Sequence, residues 1–275
     1  MTSSTLFTDA MALTPAGGGV YRGLLNEHWT IGPKVHGGAM LALCANAARH
    51  EMPDLEPIAV SGSFLWAPDP GAMDVVTVVR KRGRRVSLID VELRQGDRTA
   101  VRAAITMGIP EHHVPPLLSV NPVLPLMMPD PPPGLEPIGP GHPMADIVHL
   151  SRGCEIRPSL TTFTPRTDGG PPMIEYWVRP KGVEPDLLFA LLCGDVSAPV
   201  TYGVNRFGWA PTVQLTAYLR ARPAPGWLRV MCTTTQIGQD WFDEDHIVVD
   251  SQGHIVVQTR QLAMVPPEPE GASSA

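Results

Sequence analysis

The sequence predicts an α+β fold in which one unit occurs twice, each unit an antiparallel β-sheet with a single helix packed across it. Two observations predict this duplication: the same order of strand-like and helix-like segments runs through both halves, and short sequences recur between the halves. A third observation, a proline-rich segment between the halves, marks the boundary. An antiparallel sheet with one apolar face can be covered by one helix, so each half is sufficient for a small domain.

The first half begins with a strand-like segment and a helical one, and four alternating segments follow. Small and apolar residues recur at helical spacing in "HGGAMLALCANAARHEM", and "RQGDR" has the composition of a hairpin turn. The predicted strands are 20–32, 57–68, 72–83, 85–96 and 98–108, and the predicted helix is 36–52.

The second half repeats this order. Its predicted helix, 183–195, has Pro185 and two acidic residues in the first turn, where the helix dipole favours negative charge. "DSQGH" is the corresponding hairpin turn. The predicted strands are 154–165, 172–182, 211–222, 226–238, 243–251 and 254–265.

Three pairs of short sequences align the two halves. "LCAN" at 43–46 matches "LCGD" at 192–195, "PDPG" at 68–71 matches "PAPG" at 223–226, and "RQGD" at 94–97 matches "SQGH" at 251–254. The matches occur in the same order along both halves, which indicates an internal duplication. We therefore predict an N-terminal domain at 1–109, a linker at 110–145, a C-terminal domain at 146–265 and a disordered tail at 266–275.

Composition limits the function. The formal net charge of −6 argues against nucleic-acid binding, and no apolar run approaches the roughly 18 residues of a membrane span. The N-terminus lacks the basic and apolar regions of a secretion signal. Four scattered cysteines without a CxxC pair predict free thiols and a cytoplasmic location. We expect no metal site and no cofactor, since the histidines lack suitably spaced ligands.

Several segments together resemble the type II (TesB-like) acyl-CoA thioesterases, in which two tandem hotdog units share one chain. The resemblance covers about 15–265 apart from the linker and rests on the order of its motifs. These are "KVHGGAMLAL", "SFLWAPDPG", "EIRPS", "EYWVRPKG", "LLCGD", "PTVQLTAYLRARP" and "VVQTRQLAMV". It implies a tandem double hotdog, each sheet curling around a long central helix, that hydrolyses acyl-CoA to fatty acid and coenzyme A.

The resemblance also implies a hydrolytic water held by an Asp, a Thr and a Gln, which fall by position on Asp195, Thr212 and Gln261. The aligned residues of the first half are Asn46, Pro57 and Ala104, so only the second half carries the trio. That asymmetry favours a functional Asp195 over a helix end that merely faces water.

Five further residues are predicted to contact the substrate. Backbone amides at the start of the first helix could bind an oxyanion, and Gly37 and Gly38 would let a substrate approach, although a tight turn also explains them. His36 precedes them, and local hydrogen bonding is the alternative to a direct role. Arg84 and Arg85, in "RKRGRRVS", could bind the phosphates of coenzyme A or could form a solvated hairpin tip.

Two other functions stay open. "GDVSAPV" partly resembles the enoyl-CoA hydratase motif Gly-Asp-x-Asn-Pro-x-His, but Ser197 replaces the Asn and the His is missing. A protein that binds acyl-CoA or another lipid without hydrolysing it is the second alternative. A homo-oligomer of double-hotdog protomers is also left open, because the two halves already complete one hotdog pair.

Overall fold

The computed structural model describes residues 6–112 and 114–268. Within these residues, the first half contains two α-helices and eight strands. They are α1 Phe7–Ala10, β1 Thr14–Gly17, β2 Val20–Leu25, β3 Thr30–Ile31, β4 Lys34–Val35, α2 Gly37–Glu51, β5 Glu56–Phe64, β6 Gly71–Lys81, β7 Ser87–Gln95 and β8 Arg98–Gly108.

The second half contains one α-helix and six strands in the described residues. They are β9 Cys154–Pro158, β10 Met173–Pro180, α3 Leu187–Cys193, β11 Thr212–Leu219, β12 Leu228–Thr233, β13 Trp241–Val249 and β14 Ile255–Met264. Short 3-10 helices lie at Glu27–Trp29, His149–Arg152, Leu160–Phe163 and Val200–Val204.

Twelve strands form one antiparallel sheet in the order β1-β2-β6-β7-β8-β5-β11-β14-β13-β12-β10-β9. Read outward from its centre, this order places β5 opposite β11, β8 opposite β14, β7 opposite β13 and β6 opposite β12. The two halves join where β5 pairs with β11, from Gln214 opposite Ser63 to Tyr218 opposite Ala59. Each half therefore contributes six strands in corresponding positions.

The inner face of the sheet packs on the helices because its strands alternate between apolar and polar residues. In β7, Ile89, Val91 and Leu93 are fully buried while the residues between them are partly exposed. The helix α2 spans fifteen residues, and ten of them are buried, so it lies inside the fold rather than on it.

The helix of the second half is shorter than the sequence predicts. Asp186 is the N-cap residue and accepts a hydrogen bond from the Phe189 N–H at 2.8 Å, so α3 begins after Pro185 instead of at 183. It ends at Gly194 after seven residues, all of them buried. The expectation of a long central helix in each half is therefore wrong for the second half.

The proline-rich segment packs on the second half. Val123 and Met127 are buried in a small apolar cluster with Trp177 and Trp227, and the Trp177 Nε1–H donates to the Met128 carbonyl at 2.9 Å. In the described part of the chain, no α-helix or strand lies between Gly108 and His149, as expected for a segment so rich in proline. Residues 269–275, most of the tail predicted to be disordered, lie outside the described residues.

All four cysteines are free and buried, as the sequence predicts. Among the described residues, no helix is both long enough and apolar enough to cross a membrane.

Candidate active site

A cavity of about 570 Å³ opens where the two halves meet. The start of α2, the residues after α3 and the strands β5, β11, β13 and β14 surround it. Asp195, Thr212 and Gln261, which come from three separate segments, all line this cavity, together with His36 and Gly37. The fold thus brings together the three residues that sequence analysis assigned to hydrolysis.

Asp195 lies one residue beyond the helix end at Gly194 and points toward the start of α2. Its side chain is 10% exposed, and burial raises the pKa of this carboxyl above its ordinary value. His36 and the Gly38 N–H act in the opposite direction and favour the ionised form. The helix N-terminus therefore compensates part of the cost of burying this charge.

His36 is engaged at both ring nitrogens. Its Nδ1 accepts the Ala39 N–H at 3.3 Å, and its Nε2 lies 2.8 Å from the Asp195 backbone carbonyl. An imidazole that accepts at Nδ1 and faces a carbonyl at Nε2 must carry its proton on Nε2. His36 thus caps α2 and fixes the backbone of Asp195, which leaves no free lone pair for a general base.

Gly37 and Gly38 are required for a close approach between the two halves. A Cβ atom on Gly37 would lie 2.6 Å from the Asp195 Oδ2 atom, and one on Gly38 would lie 2.6 Å from the Leu192 carbonyl oxygen. The space above both glycines is therefore occupied by Asp195 and the end of α3. The tight packing explains these glycines independently of any contact with substrate.

Thr212 and Gln261 form a hydrogen-bonded pair on adjacent strands. The Thr212 hydroxyl donates to the Gln261 Oε1 at 3.2 Å, and the Gln261 Nε2–H donates to Glu244 Oε2. Glu244 Oε1 accepts the Val200 N–H at 2.7 Å. Glu244 also lines the cavity and is 2% exposed, and burial raises its pKa to about 8, with the Asp195 charge contributing in the same direction.

Glu244 is not among the residues predicted from the sequence, although the pattern of its strand carries a signal. In β13 the residues Phe242, Glu244, His246 and Val248 alternate with Asp243, Asp245 and Ile247, and the first set is buried. An acidic residue on the apolar side of an alternating strand must be paired or functional, because an isolated buried charge is costly.

A second polar cluster adjoins the cavity. One ligand atom from each of Cys232, Glu244 and His246 lies within 4.8 Å of the other two, which is compatible with metal binding. However, both Glu244 oxygens accept N–H groups, and His246 Nε2 lies 2.8 Å from the Ser197 hydroxyl. Burial also raises the pKa of the Cys232 thiol well above its ordinary value. These partners favour a hydrogen-bonded network over a metal centre.

Arg84 and Arg85 are not brought to this cavity. They follow β6 and precede Ser87, which pairs with Met107 near the Glu56 end of β5. The cavity lies at the Phe64 end of the same strand, about 26 Å away at roughly 3.3 Å per residue.

A different arginine lies close to the cavity. Arg98 Cζ is 4.1 Å from the ring centroid of Trp66, and Trp66 lines the cavity. Within residues 6–112 and 114–268, Arg98 forms no ion pair with a carboxylate, so its charge remains available to a ligand.

The corresponding place in the first half has a different chemistry. Asn46, which aligns with Asp195, donates its Nδ2–H to the Met11 carbonyl at 2.7 Å. Nearby, Glu56 forms ion pairs with Arg49 at 2.9 Å and Arg222 at 2.8 Å. These contacts close the region with an internal ion-pair network.

The remaining cavity wall is mainly apolar and suits an aliphatic chain. It includes Ile31, Val35, Met40, Phe64, Met144, Ile147, Val148, Val196 and Met264. The polar residues are concentrated at the α2 start, in the segment after α3 and on β11, β13 and β14.

Both halves of the chain match domains of one known protein family. Residues 25–108 match the acyl-CoA thioesterase N-terminal domain, and residues 125–265 match the acyl-CoA thioesterase C-terminal domain. Uncharacterized protein Rv0499 of Mycobacterium tuberculosis and uncharacterized protein Mb0510 of Mycobacterium bovis are each 63% identical, over 96% of this chain and 99% of their own length.

Solved structures resemble the whole chain. A protein of Thermobifida fusca YX, provisionally named a thioesterase II, is 26% identical with a TM-score of 0.83, covering 95% of this chain and 97% of its own. A hotdog-fold protein of unknown function from Alicyclobacillus acidocaldarius is 20% identical, with a TM-score of 0.78 and coverage of 96% and 98%. The acyl-CoA thioesterase II TesB2 of Mycobacterium marinum is 14% identical, with a TM-score of 0.73 and coverage of 98% and 99%. The fold is therefore a hotdog fold, predominantly antiparallel sheet with few helices.

Proposed function

Because the chain belongs to the acyl-CoA thioesterase family, we propose that it hydrolyses acyl-CoA thioesters to a fatty acid and coenzyme A, using a water molecule held by Asp195, Thr212 and Gln261. We propose also that its two halves are tandem hotdog units. One observation carries the functional proposal: the buried Asp195 carboxylate, which faces the start of α2, shares an apolar cavity with the hydrogen-bonded pair of Thr212 and Gln261.

In this mechanism Asp195 is the general base. Its carboxylate takes a proton from the water as the water oxygen attacks the thioester carbonyl carbon. The carbon–sulfur bond then breaks, and the thiolate leaves as coenzyme A, protonated from solvent or from Asp195. The nearby Gly38 N–H and His36 favour the ionised form of Asp195 and so oppose the effect of burial on its pKa.

Thr212 and Gln261 hold the water on the opposite side. The Thr212 hydroxyl donates a hydrogen bond to the Gln261 Oε1 atom, so the lone pairs of the hydroxyl oxygen can accept a hydrogen bond from the water. Gln261 has a second Nε2–H that can donate to the water oxygen or to the developing oxyanion. Gly37 lines the same cavity at the first turn of α2, where backbone N–H groups have no partner within the helix, so its N–H is a further donor for the oxyanion.

The substrate would lie with its acyl chain in the apolar part of the cavity and its thioester beside Asp195. The coenzyme A part of the bound substrate would extend out of the cavity past Trp66, whose ring can stack on an aromatic base. Arg98, which lies over that ring, would bind a phosphate. The free thiols suit a reducing compartment, so we propose that the protein acts in the cytoplasm.

Thiol release from a series of acyl-CoA chain lengths tests the proposal. Wild-type protein should release coenzyme A, and the Asp195→Asn variant should lose at least about 100-fold in kcat, the scale of a missing general base. Asp130→Asn removes an exposed carboxylate in the proline-rich segment and serves as the matched control.

Each alternative function gives a different result in this experiment. A lipid-binding protein would bind acyl-CoA without releasing thiol. A hydratase would consume the double bond of crotonyl-CoA and leave the thioester intact. Turnover by folded Asp195→Asn at the wild-type rate would remove Asp195 from the mechanism.

A further inference from the structure

We propose that Glu244 is the positioning residue of the hydrolytic site: it sets the orientation of the Gln261 amide and, through it, the direction of the Thr212 hydroxyl. This inference rests on the proposed function and extends it to a buried carboxylate outside the Asp–Thr–Gln trio. The chain of contacts runs from the Val200 N–H through Glu244 and Gln261 to Thr212.

One end of this series of hydrogen bonds is fixed by the backbone. Glu244 Oε1 accepts the Val200 N–H at 2.7 Å, and this bond is buried. A backbone N–H cannot become an acceptor, so the oxygen that faces Val200 must remain an acceptor. Glu244 therefore has only Oε2 with which to contact Gln261.

The Gln261 amide takes its orientation from Glu244. An ionised carboxylate only accepts, so Oε2 selects the orientation in which Gln261 presents its Nε2–H group to Glu244. The amide oxygen then faces Thr212 and accepts a hydrogen bond from its hydroxyl. The Thr212 lone pairs become available to the water, as the mechanism requires.

A protonated Glu244 would reverse this direction. Its Oε2–H would donate to the amide oxygen, the amide would turn, and the Gln261 N–H would face the Thr212 oxygen. The Thr212 hydroxyl proton would then point into the cavity, where it would compete with the water protons. Only the ionised form supports the proposed arrangement of the water.

Several ionisable groups face Glu244 and influence its charge. Asp195, beyond the end of α3, opposes ionisation through its own negative charge. His246 on the same strand, Cys232 on β12 and Tyr176 on β10 are buried neighbours, and burial lowers the pKa of His246 to about 4 and raises those of Cys232 and Tyr176. These three neighbours are therefore neutral near pH 7, and the charges that oppose ionisation of Glu244 are those of Asp195 and of Asp243 on the same strand.

The test is the isosteric substitution Glu244→Gln. Its amide oxygen retains the Val200 N–H, its NH₂ group faces Gln261, and the chain is held in the reversed direction at every pH. Above pH 8, where Glu244 is ionised in the wild type, we expect the substitution to lower kcat for acyl-CoA about 10- to 100-fold with little change in KM, as for a misaligned catalytic group. The wild-type kcat should rise with pH as Glu244 ionises, and this rise should be absent from the variant.

Two further variants separate positioning from structural damage. His246→Gln changes a buried side chain two residues along the same strand, bonded to Ser197 and outside the trio, and should retain kcat. In a Gln261→Ala background, Glu244→Gln should cause no additional loss, because Glu244 acts through Gln261.

The outcomes are decisive. A folded Glu244→Gln with wild-type kcat and pH profile overturns the proposal, as does an equal loss in His246→Gln or a multiplicative loss in the double variant. If Glu244→Gln does not unfold cooperatively, Glu244→Asp replaces it. This variant keeps the negative charge, but its shorter side chain does not reach both the Val200 N–H and Gln261. A wild-type kcat in Glu244→Asp would also overturn the proposal. Absence of hydrolysis in the wild-type protein would instead contradict the proposed function itself.

Discussion

Alanine at Gly37 should reduce catalysis, whereas alanine at the adjacent Gly38 should reduce stability. The two residues begin the same helix, and a new Cβ atom meets an obstacle 2.6 Å away in both. At Gly37 the obstacle is the Asp195 Oδ2 atom, the free end of a side chain. At Gly38 it is the Leu192 carbonyl oxygen, which belongs to the backbone of α3.

The sizes of the two effects depend on whether the group that meets the new Cβ atom is a movable side chain or the backbone. Ordinary contact begins at 3.4 Å, so the Asp195 carboxylate must retreat by about 0.8 Å in Gly37→Ala, and a misplacement of about 1 Å can cost about 100-fold in rate. We expect kcat to fall about 10- to 100-fold while the melting temperature stays near the wild-type value. In Gly38→Ala the backbone must shift, which costs about 1–3 kcal/mol, and each kcal/mol lowers the melting temperature by about 2–4 °C in a domain of this size.

The assay is thiol release combined with thermal unfolding of both variants. Gly139→Ala is the control, because a Cβ there meets only the Pro137 carbonyl oxygen at 3.9 Å. If Gly37→Ala retained full kcat, Asp195 would not need its present position. If Gly37→Ala and Gly38→Ala lost stability equally and activity equally, the distinction between a movable side chain and a fixed backbone would be refuted.

Two further predictions concern substrate binding and stability. Arg98→Ala should raise KM for acyl-CoA but leave KM unchanged for a short acyl-cysteamine thioester that lacks the nucleotide. The double variant Arg84→Ala/Arg85→Ala tests the prediction made from the sequence. It should raise KM for acyl-CoA only if that distant turn binds phosphate. Because burial raises the folded-state pKa of Glu244 from 4.5 to about 8, the stability that it contributes is fully present below pH 4.5 and is lost as the pH rises through 8. The free energy of unfolding of the wild-type protein should therefore decline by up to about 1.4 kcal/mol per pH unit in this window, and Glu244→Gln should remove that decline. Chemical denaturation at a series of pH values measures this. If the free energy of unfolding depended on pH in the same way in both proteins, the pKa shift would be contradicted.

Much of the fold was predictable because its patterns are local. The β7–β8 hairpin, for example, follows from alternation and from the turn at "RQGDR", and Gly96 there adopts a positive φ of 58°. The length of α3 was not predictable in the same way. Helical composition continues through 183–195, but the Asp186 cap and Gly194 limit the helix to seven residues.

The site was predictable only in part because its residues meet through tertiary structure. Asp195, Thr212 and Gln261 were assigned through the family resemblance, and the fold places all three on one cavity. Arg84 and Arg85 were assigned from charge alone. Charge carries no information about whether their turn lies near the Glu56 end or the Phe64 end of β5. Arg98, beside a hairpin turn, was not predicted as a binding residue, because its contact with Trp66 depends on the pairing of β5 with β8.

The two corresponding places in the fold differ in how they hold buried charge, and this difference accounts for a single proposed site. In the first half Glu56 lies between Arg49 and Arg222, so its charge is neutralised by cations within 3 Å. At the cavity, Asp195 and Glu244 lie near one another with no arginine or lysine paired to either among the described residues. Paired ions stabilise a closed structure, whereas unpaired carboxylates that are restrained by N–H groups can still take up a proton. The second arrangement is the one that general-base hydrolysis of a thioester requires.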